Sequence, residues 1–184
     1  MQVAVIGHVE WCQFGRVVEM PGAGEIVHTL EEWEEPGGGG SVAAAELARL
    51  AGGCLFFTAL GDDELGRRAR FELENLGVTV HATLVRDPTR RAFVHVDERG
   101  ERTITVLGDK LLPRGEDGNL PWEELGRTDA VYFCSGDVAA LRVSRKARIV
   151  VATARELGVL RRGGIELDAL VGSGEDEGER YHAG

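Results

Sequence analysis

The hydrophobic residues of this chain occur in short runs that alternate with amphipathic stretches. Val3–Ile6 and Cys54–Leu60 are almost wholly apolar and are followed closely by glycine, which is typical of buried parallel strands. Val42–Ala51 and Glu64–Leu76 have the spacing of helices that bury one face. Because a new strand is predicted from Val78, the order strand, helix, strand indicates a right-handed parallel crossover.

Two regions depart from this alternation. Residues 91–107 alternate between apolar and mixed positions around a turn, which predicts an antiparallel hairpin rather than a core strand. Residues 13–35 are less regular, and we expect short strands at Arg16–Val18 and Glu25–Leu30. After the hairpin the α/β alternation resumes, with strands predicted at Ala130–Cys134, Ile149–Ala152 and Leu167–Val171.

Composition and charge exclude several classes of protein. The 184 residues have a net charge of −10, so a basic nucleic-acid-binding surface is not expected. No apolar run is long enough to span a membrane and no cleavable signal precedes the first strand, so we expect a cytoplasmic protein with no membrane partner. Cys12, Cys54 and Cys134 are too scattered for a disulfide framework or a zinc site, and we expect reduced thiols.

Three polar or glycine-rich segments are candidates for ligand contact, and His8, directly after the first strand, is placed to touch a ligand. The glycines 37–40 precede the first helix, for which Ser41 is the predicted N-cap, and they allow a ligand to approach the backbone closely. The segment 61–66, Gly-Asp-Asp-Glu-Leu-Gly, either only begins a helix or contributes to a site. The acidic run 173–177 is either a solvated loop or a place for hydrated magnesium.

The order of these motifs resembles the PfkB or ribokinase family of carbohydrate and nucleoside kinases. Val-Ile-Gly-His opens the chain, and Pro-Gly-Ala-Gly-Glu at 21–25, the glycine loop and the Gly-Asp-Asp segment follow in the family's order. Thr89–Ala92 and Gly100–Ile104 resemble strands of the family's lid. The resemblance implies a three-layer α/β/α fold with a mostly parallel sheet and a small β lid. The core would comprise 1–12, 36–88 and 108–184, and the lid 13–35 and 89–107.

The resemblance also implies a reaction. The γ-phosphoryl group of ATP would pass to a hydroxyl of a sugar-like or nucleoside-like small molecule, with Mg²⁺ present. The implied substrate contacts are Glu10, Gly38, Gly39, Gly40 and Asp137. Ser173 and Asp176 would lie near phosphate and magnesium, with no direct metal ligand. A homodimer through the lid is expected because one face of the hairpin is apolar and needs cover.

The chain departs from the family pattern at the substrate side. Glu10, Cys12 and Gln13 stand where members often carry an aspartate, and Val42 stands where an asparagine is usual. Ser173–Asp176 replaces the family's Asn-x-x-Glu motif. The anion hole Gly-Ala-Gly-Asp, the catalytic base and most of the ATP pocket are expected beyond residue 184, so these residues alone are expected to be inactive.

Two other functions remain open. A non-catalytic binding protein that retains the fold agrees with the changes at Cys12 and Val42. A dinucleotide-dependent oxidoreductase is disfavoured, because the glycine loop lacks the fingerprint spacing and does not directly follow the first strand.

Overall fold

The computed structural model describes residues 1–181, so the last three residues of the predicted polar tail, His182 included, lie outside it. A parallel sheet of six strands forms the centre of the molecule. Its spatial order is β10-β9-β8-β1-β4-β5. The strands are β1 (Val3–Ile6), β4 (Cys54–Gly61), β5 (Val78–Val85), β8 (Ala130–Phe133), β9 (Ile149–Thr153) and β10 (Ala169–Val171).

Four α-helices cover the two faces of this sheet. α1 (Gly39–Ala51) and α2 (Glu64–Asn75) pack on one face, where their alanines and Leu73 contact Val5, Phe56 and Leu60. α3 (Val138–Ser144) and α4 (Leu157–Gly163) pack on the other. Short 3₁₀ helices occupy Trp122–Arg127, Ala154–Glu156 and Glu177–Glu179. The predicted three-layer α/β/α fold with a mostly parallel sheet is confirmed.

A second sheet of four strands, which we call the lid sheet, has the order β3-β2-β6-β7. Its strands are β2 (Glu10–Arg16), β3 (Glu31–Gly37), β6 (Arg91–Val96) and β7 (Arg102–Leu107). β6 and β7 form the predicted antiparallel hairpin, and β2 pairs with β6 in parallel and with β3 antiparallel. The division of the chain into core and lid stays a prediction. The lid sheet also includes residues 10–12 and 36–37, which that division assigns to the core.

The strand predicted at Glu25–Leu30 was wrong, and of Arg16–Val18 only Arg16 lies in a strand, as the last residue of β2. The chain between β2 and β3 has no regular structure, and Ile26 is 89% exposed. Instead, the sequence Glu-Glu-Trp-Glu-Glu-Pro-Gly forms β3 by pairing along the whole of β2. Backbone hydrogen bonds, rather than burial of side chains, hold this edge strand. Its sequence is therefore acidic and shows no hydrophobic pattern from which a strand could be predicted.

The predicted N-cap of α1 was also wrong. The helix begins at Gly39, with Gly38 as N-cap, and it ends as expected at Gly52 in the left-handed conformation. Ser41 lies inside the first turn, fully buried, where its hydroxyl donates back to the carbonyls of Gly37 and Gly38. Within residues 1–181 no helix has both the length and the hydropathy needed to cross a membrane.

Candidate functional site

The carboxyl ends of the parallel strands form one edge of the central sheet. His8 follows β1, Ser135 follows β8 and Arg155 follows β9 at this edge. The lid sheet starts here as well, because β2 begins at Glu10, shortly after β1. In open α/β sheets, ligands bind beyond these strand ends. A ligand site is therefore expected at the edge between β1 and the lid sheet.

The glycine loop is pressed against this edge so closely that larger residues do not fit. A Cβ at position 40 would lie 2.6 Å from the carbonyl oxygen of His8, and one at position 39 would lie 2.8 Å from the sulfur of Cys134. Gly38 has φ +86°, which favours glycine for a second reason. Because the first N–H groups of a helix have no partner within it, α1 begins with donors suited to a polar ligand.

Glu10 is a buried carboxylate at the start of the lid sheet, with an exposed fraction of 9%. Its Oε1 lies 3.5 Å from Nε2 of His8 and 3.2 Å from Nε of Arg90. The contact with His8 is the largest cause that lowers the pKa of Glu10; burial opposes it, and the charge of Arg90 adds to it. Glu10 is therefore ionised in the folded protein.

Two members of this cluster were missed by the sequence analysis. Arg90 lies within the lid motif, but no role was given to it. Its Nε is buried with no aligned hydrogen bond in the described part of the chain, so its contact with Glu10 is an ion pair. Ser135, fully buried, places its hydroxyl 2.8 Å from Nδ1 of His8. No local signal could reveal this contact, because 127 positions separate the two residues.

The Gly-Asp-Asp segment has a structural role in the described contacts. Asp63 caps α2 by accepting a hydrogen bond from the N–H of Gly66 at 2.8 Å. It also accepts from the N–H and the hydroxyl of Thr89, both at 2.7 Å. Burial opposes ionisation of Asp63, but these hydrogen bonds outweigh it and lower its pKa. Asp63 thus ties α2 to the segment that leads into β6 of the lid sheet.

Asp137 is the N-cap of α3. Its Oδ1 accepts hydrogen bonds from the N–H groups of Ala140 at 2.7 Å and Gly115 at 3.0 Å. It also lines a cavity of about 540 Å³ at the ends of β4 and β5, together with Asp109 and Lys110. The glycine loop and Glu10 do not line this cavity. The structure therefore brings Glu10 and Gly38–Gly40 together and places Asp137 in a neighbouring cavity.

Ser173 and Asp176 lie beyond β10, in contact with Arg155 and Glu179. Arg155 pairs with Asp176, and its Nε donates to Glu179 at 2.9 Å, while Glu179 accepts from the N–H of Ser173 at 2.8 Å. The N–H of Gly178, followed by Arg155, lowers the pKa of Asp176. Arg155 and backbone N–H groups thus already pair with the carboxylates of Asp176 and Glu179.

The chain matches the model of the pfkB family of carbohydrate kinases over residues 1–159. It belongs to this family. A fructokinase of Vibrio alginolyticus is 37% identical over 111 residues, which are 56% of this chain and 34% of that protein. A ribokinase of Dictyostelium discoideum is 27% identical over 108 residues, or 58% of this chain and 34% of the relative.

Solved structures of this family share the fold. The ribokinase of Thermotoga maritima superposes with a TM-score of 0.69 at 23% identity, covering 94% of this chain and 59% of its own. The ribokinase of Arabidopsis thaliana, solved with ribose and ATP, gives a TM-score of 0.63 at 19% identity and covers 83% and 53%. The matched stretch spans only 34% of each of the two curated relatives above, so the resemblance concerns one part of a family kinase.

Proposed function

We propose that this chain is the acceptor-binding and lid part of an ATP-dependent kinase that phosphorylates a hydroxyl of a sugar or nucleoside-like molecule. The observation that carries the proposal is Glu10, an ionised and buried carboxylate between the glycine loop and the lid sheet. A carboxylate accepts hydrogen bonds from hydroxyls, which are the polar groups of a carbohydrate. Membership of the carbohydrate kinase family supports the same substrate class.

The residues of the site would act by holding and orienting the acceptor. Glu10 would accept a hydrogen bond from one hydroxyl, and the backbone N–H groups of Gly39 and Gly40 would donate to acceptor oxygens. The lid sheet would exclude water from the bound sugar. Phosphoryl transfer depends mainly on such positioning and on electrostatic stabilisation. When bound, ATP supplies the phosphoryl group and Mg²⁺ neutralises its charge.

The other predicted contacts belong to the same proposal with less direct support. Asp137 would extend the acceptor pocket through its second carboxylate oxygen. Ser173 and Asp176 would lie near the phosphates rather than hold the metal, because Arg155 already occupies the carboxylates. The three buried free thiols agree with a reducing compartment, so we place the protein in the cytoplasm.

A second copy of the chain is proposed to cover the open face of the lid sheet. Phe14, Val94 and Ile104 lie opposite one another across three strands and share one face. Val94 is buried, whereas Ile104 and Val106 on the outer strand β7 are 53% and 41% exposed, so the β7 side of this face is uncovered within one chain. We expect a dimer in light scattering and a monomer after Ile104→Asp, because a charge there is costly to bury.

The test of the proposed function is ligand binding to the 184-residue chain. Isothermal titration with D-ribose, D-fructose and adenosine should find at least one that binds. Glu10→Gln should weaken that binding at least about tenfold, because a hydrogen bond to a charged group contributes about 1.5–3 kcal/mol. Glu46→Gln is the matched control, since Glu46 is exposed on α1 and pairs only with Arg49.

Two results would contradict the proposal. Failure of all three compounds to bind would exclude an acceptor site of this class. Equal affinities of wild type and Glu10→Gln would show that Glu10 does not hold the acceptor. The chain alone is expected not to consume ATP, which a coupled kinase assay with the binding sugar measures.

A further inference from the structure

Four polar side chains in successive contact lead from the central sheet into the lid sheet. The hydroxyl of Ser135 lies 2.8 Å from Nδ1 of His8, whose Nε2 lies 3.5 Å from Oε1 of Glu10. Nε of Arg90 lies 3.2 Å from the same oxygen. Ser135, His8 and Glu10 have exposed fractions of 0%, 8% and 9%, so water contributes little to their hydrogen bonding. Such buried polar groups are stable only when their partners are satisfied.

Glu10, the third of these four side chains, sets the proton positions on His8 and Ser135. Glu10 is ionised and can only accept, so Nε2 of His8 must carry a proton to interact favourably with it. In a neutral imidazole the other nitrogen, Nδ1, then has no proton and can only accept. When His8 is neutral, the hydroxyl of Ser135 therefore donates to Nδ1. Ser135 thus stabilises the same tautomer of His8 that the contact with Glu10 favours.

The two oxygens of Glu10 consequently differ. The pairs with His8 and Arg90 are both formed at Oε1, and no described residue of the chain donates a hydrogen bond to Oε2. Oε2 is therefore the oxygen available to a donor from outside. A hydroxyl is such a donor, whereas an anionic group is not.

We propose that His8 and Ser135 are positioning residues that hold Glu10 by Oε1, so that Oε2 accepts a hydroxyl of the acceptor. The inference rests on the proposed function, in which Glu10 contacts the acceptor. It adds that Ser135, a residue that follows β8, acts across the sheet edge on the oxygen of Glu10 that recognises the acceptor.

The first test needs no ligand. Long-range ¹H–¹⁵N NMR spectra of the full chain, recorded at alkaline pH where an imidazole is neutral, distinguish the two tautomers. His8→Gln identifies the His8 signals. We expect protonated Nε2 and unprotonated Nδ1 in wild type, and a mixture of tautomers in Ser135→Ala. A protonated Nδ1 in wild type, or an unchanged spectrum in Ser135→Ala, would overturn the inference.

The second test uses whichever of D-ribose, D-fructose and adenosine binds wild type. Ser135→Ala should weaken this binding about five- to tenfold, which corresponds to one hydrogen bond of about 1–1.4 kcal/mol. Ser144→Ala is the control, because Ser144 is also fully buried and its hydroxyl donates to the carbonyl of Leu141 within α3. Unchanged affinity in Ser135→Ala would overturn the positioning role.

The two proposals fail in different ways. If wild type binds none of D-ribose, D-fructose and adenosine, the proposed function is contradicted, while the NMR spectra still decide whether Ser135 influences the tautomer of His8. If wild type binds and the spectra show protonated Nδ1, the proposed function stands and the positioning role of His8 and Ser135 is wrong.

Discussion

The central sheet and the lid sheet are built in different ways. All four residues of β1 are buried, and β4 is buried along almost its whole length, between helices on both faces. By contrast, all six residues of β7 are exposed, and β3 is held mainly by its backbone pairing with β2. Hydrophobic burial therefore stabilises the first sheet, whereas pairing and a few side-chain contacts place the second. The residues that join the two sheets, Glu10 among them, form the candidate site.

The largest effect should come from a cavity in the central layer. Phe57 is fully buried on β4 and stacks on Trp122 with ring centroids 5.0 Å apart. Phe57→Ala should lower the free energy of unfolding by about 3–5 kcal/mol, because it removes buried surface and leaves a void. Urea denaturation followed by circular dichroism measures this. A loss of less than about 1 kcal/mol would show that this layer repacks, against the contrast drawn here.

Breaking the connection between core and lid should have the next largest effect. Asp63→Asn should lower stability at neutral pH by about 2 kcal/mol, since Asp63 caps α2 and also binds Thr89. Because the folded-state pKa of Asp63 is lowered, its contribution is present above the ordinary value of 3.8 and is lost as the pH falls through the folded-state pKa. The difference between wild type and Asp63→Asn should therefore shrink in acid.

Urea titrations at neutral pH and at pH values below 3.8 test this dependence. Asp62→Asn is the control, because Asp62 is exposed and forms only a loose pair with Arg67 at 3.9 Å. A difference between wild type and Asp63→Asn that is independent of pH would show that ionisation of Asp63 is irrelevant to stability.

A methyl group on the glycine loop should have a smaller effect on stability and a specific effect on the site. Gly40→Ala would place Cβ 2.7 Å from the backbone nitrogen of His8, so the loop would have to shift away from β1. Such overpacking lowers the free energy of unfolding by about 1–3 kcal/mol. We also expect weaker sugar binding, because the loop and Glu10 share the edge. Gly126→Ala is the control, as a Cβ there meets nothing within 4 Å. Similar thermal stabilities of the two variants would contradict this close packing.

The smallest effect is expected on the open face of the lid sheet. Ile104→Ala should change the unfolding free energy of the dilute monomer by only about 0.5 kcal/mol, because Ile104 is 53% exposed. If a second copy covers this face, the loss should grow with protein concentration. Chemical denaturation at several concentrations separates the two cases. A large loss that does not depend on concentration would mean that the lid sheet depends on burial as much as the central sheet does.

The sequence predicted much of the central sheet, and it predicted the hairpin 91–107. It also indicated the glycine loop and Glu10 as parts of a site, through the resemblance to the carbohydrate kinases. It did not predict the pairing of β2 with β3, because the acidic residues 31–35 carry no hydrophobic signal. It placed the N-cap at Ser41, because a serine before an alanine-rich stretch is the usual local signal. In the structure the hydroxyl of Ser41 lies inside the first turn and donates to the carbonyls of Gly37 and Gly38.

By itself, the sequence determined which segments are buried in the central sheet, since continuous apolar runs such as Val3–Ile6 and Cys54–Leu60 report burial locally. It also determined where the backbone must turn, through glycines such as Gly52. Only the tertiary structure decided which distant groups meet: Asp63 with Thr89, and Ser135 with His8. Contacts of this kind depend on the register and order of strands far apart in the chain. They leave no local pattern in the sequence, so only the folded chain brings these groups together.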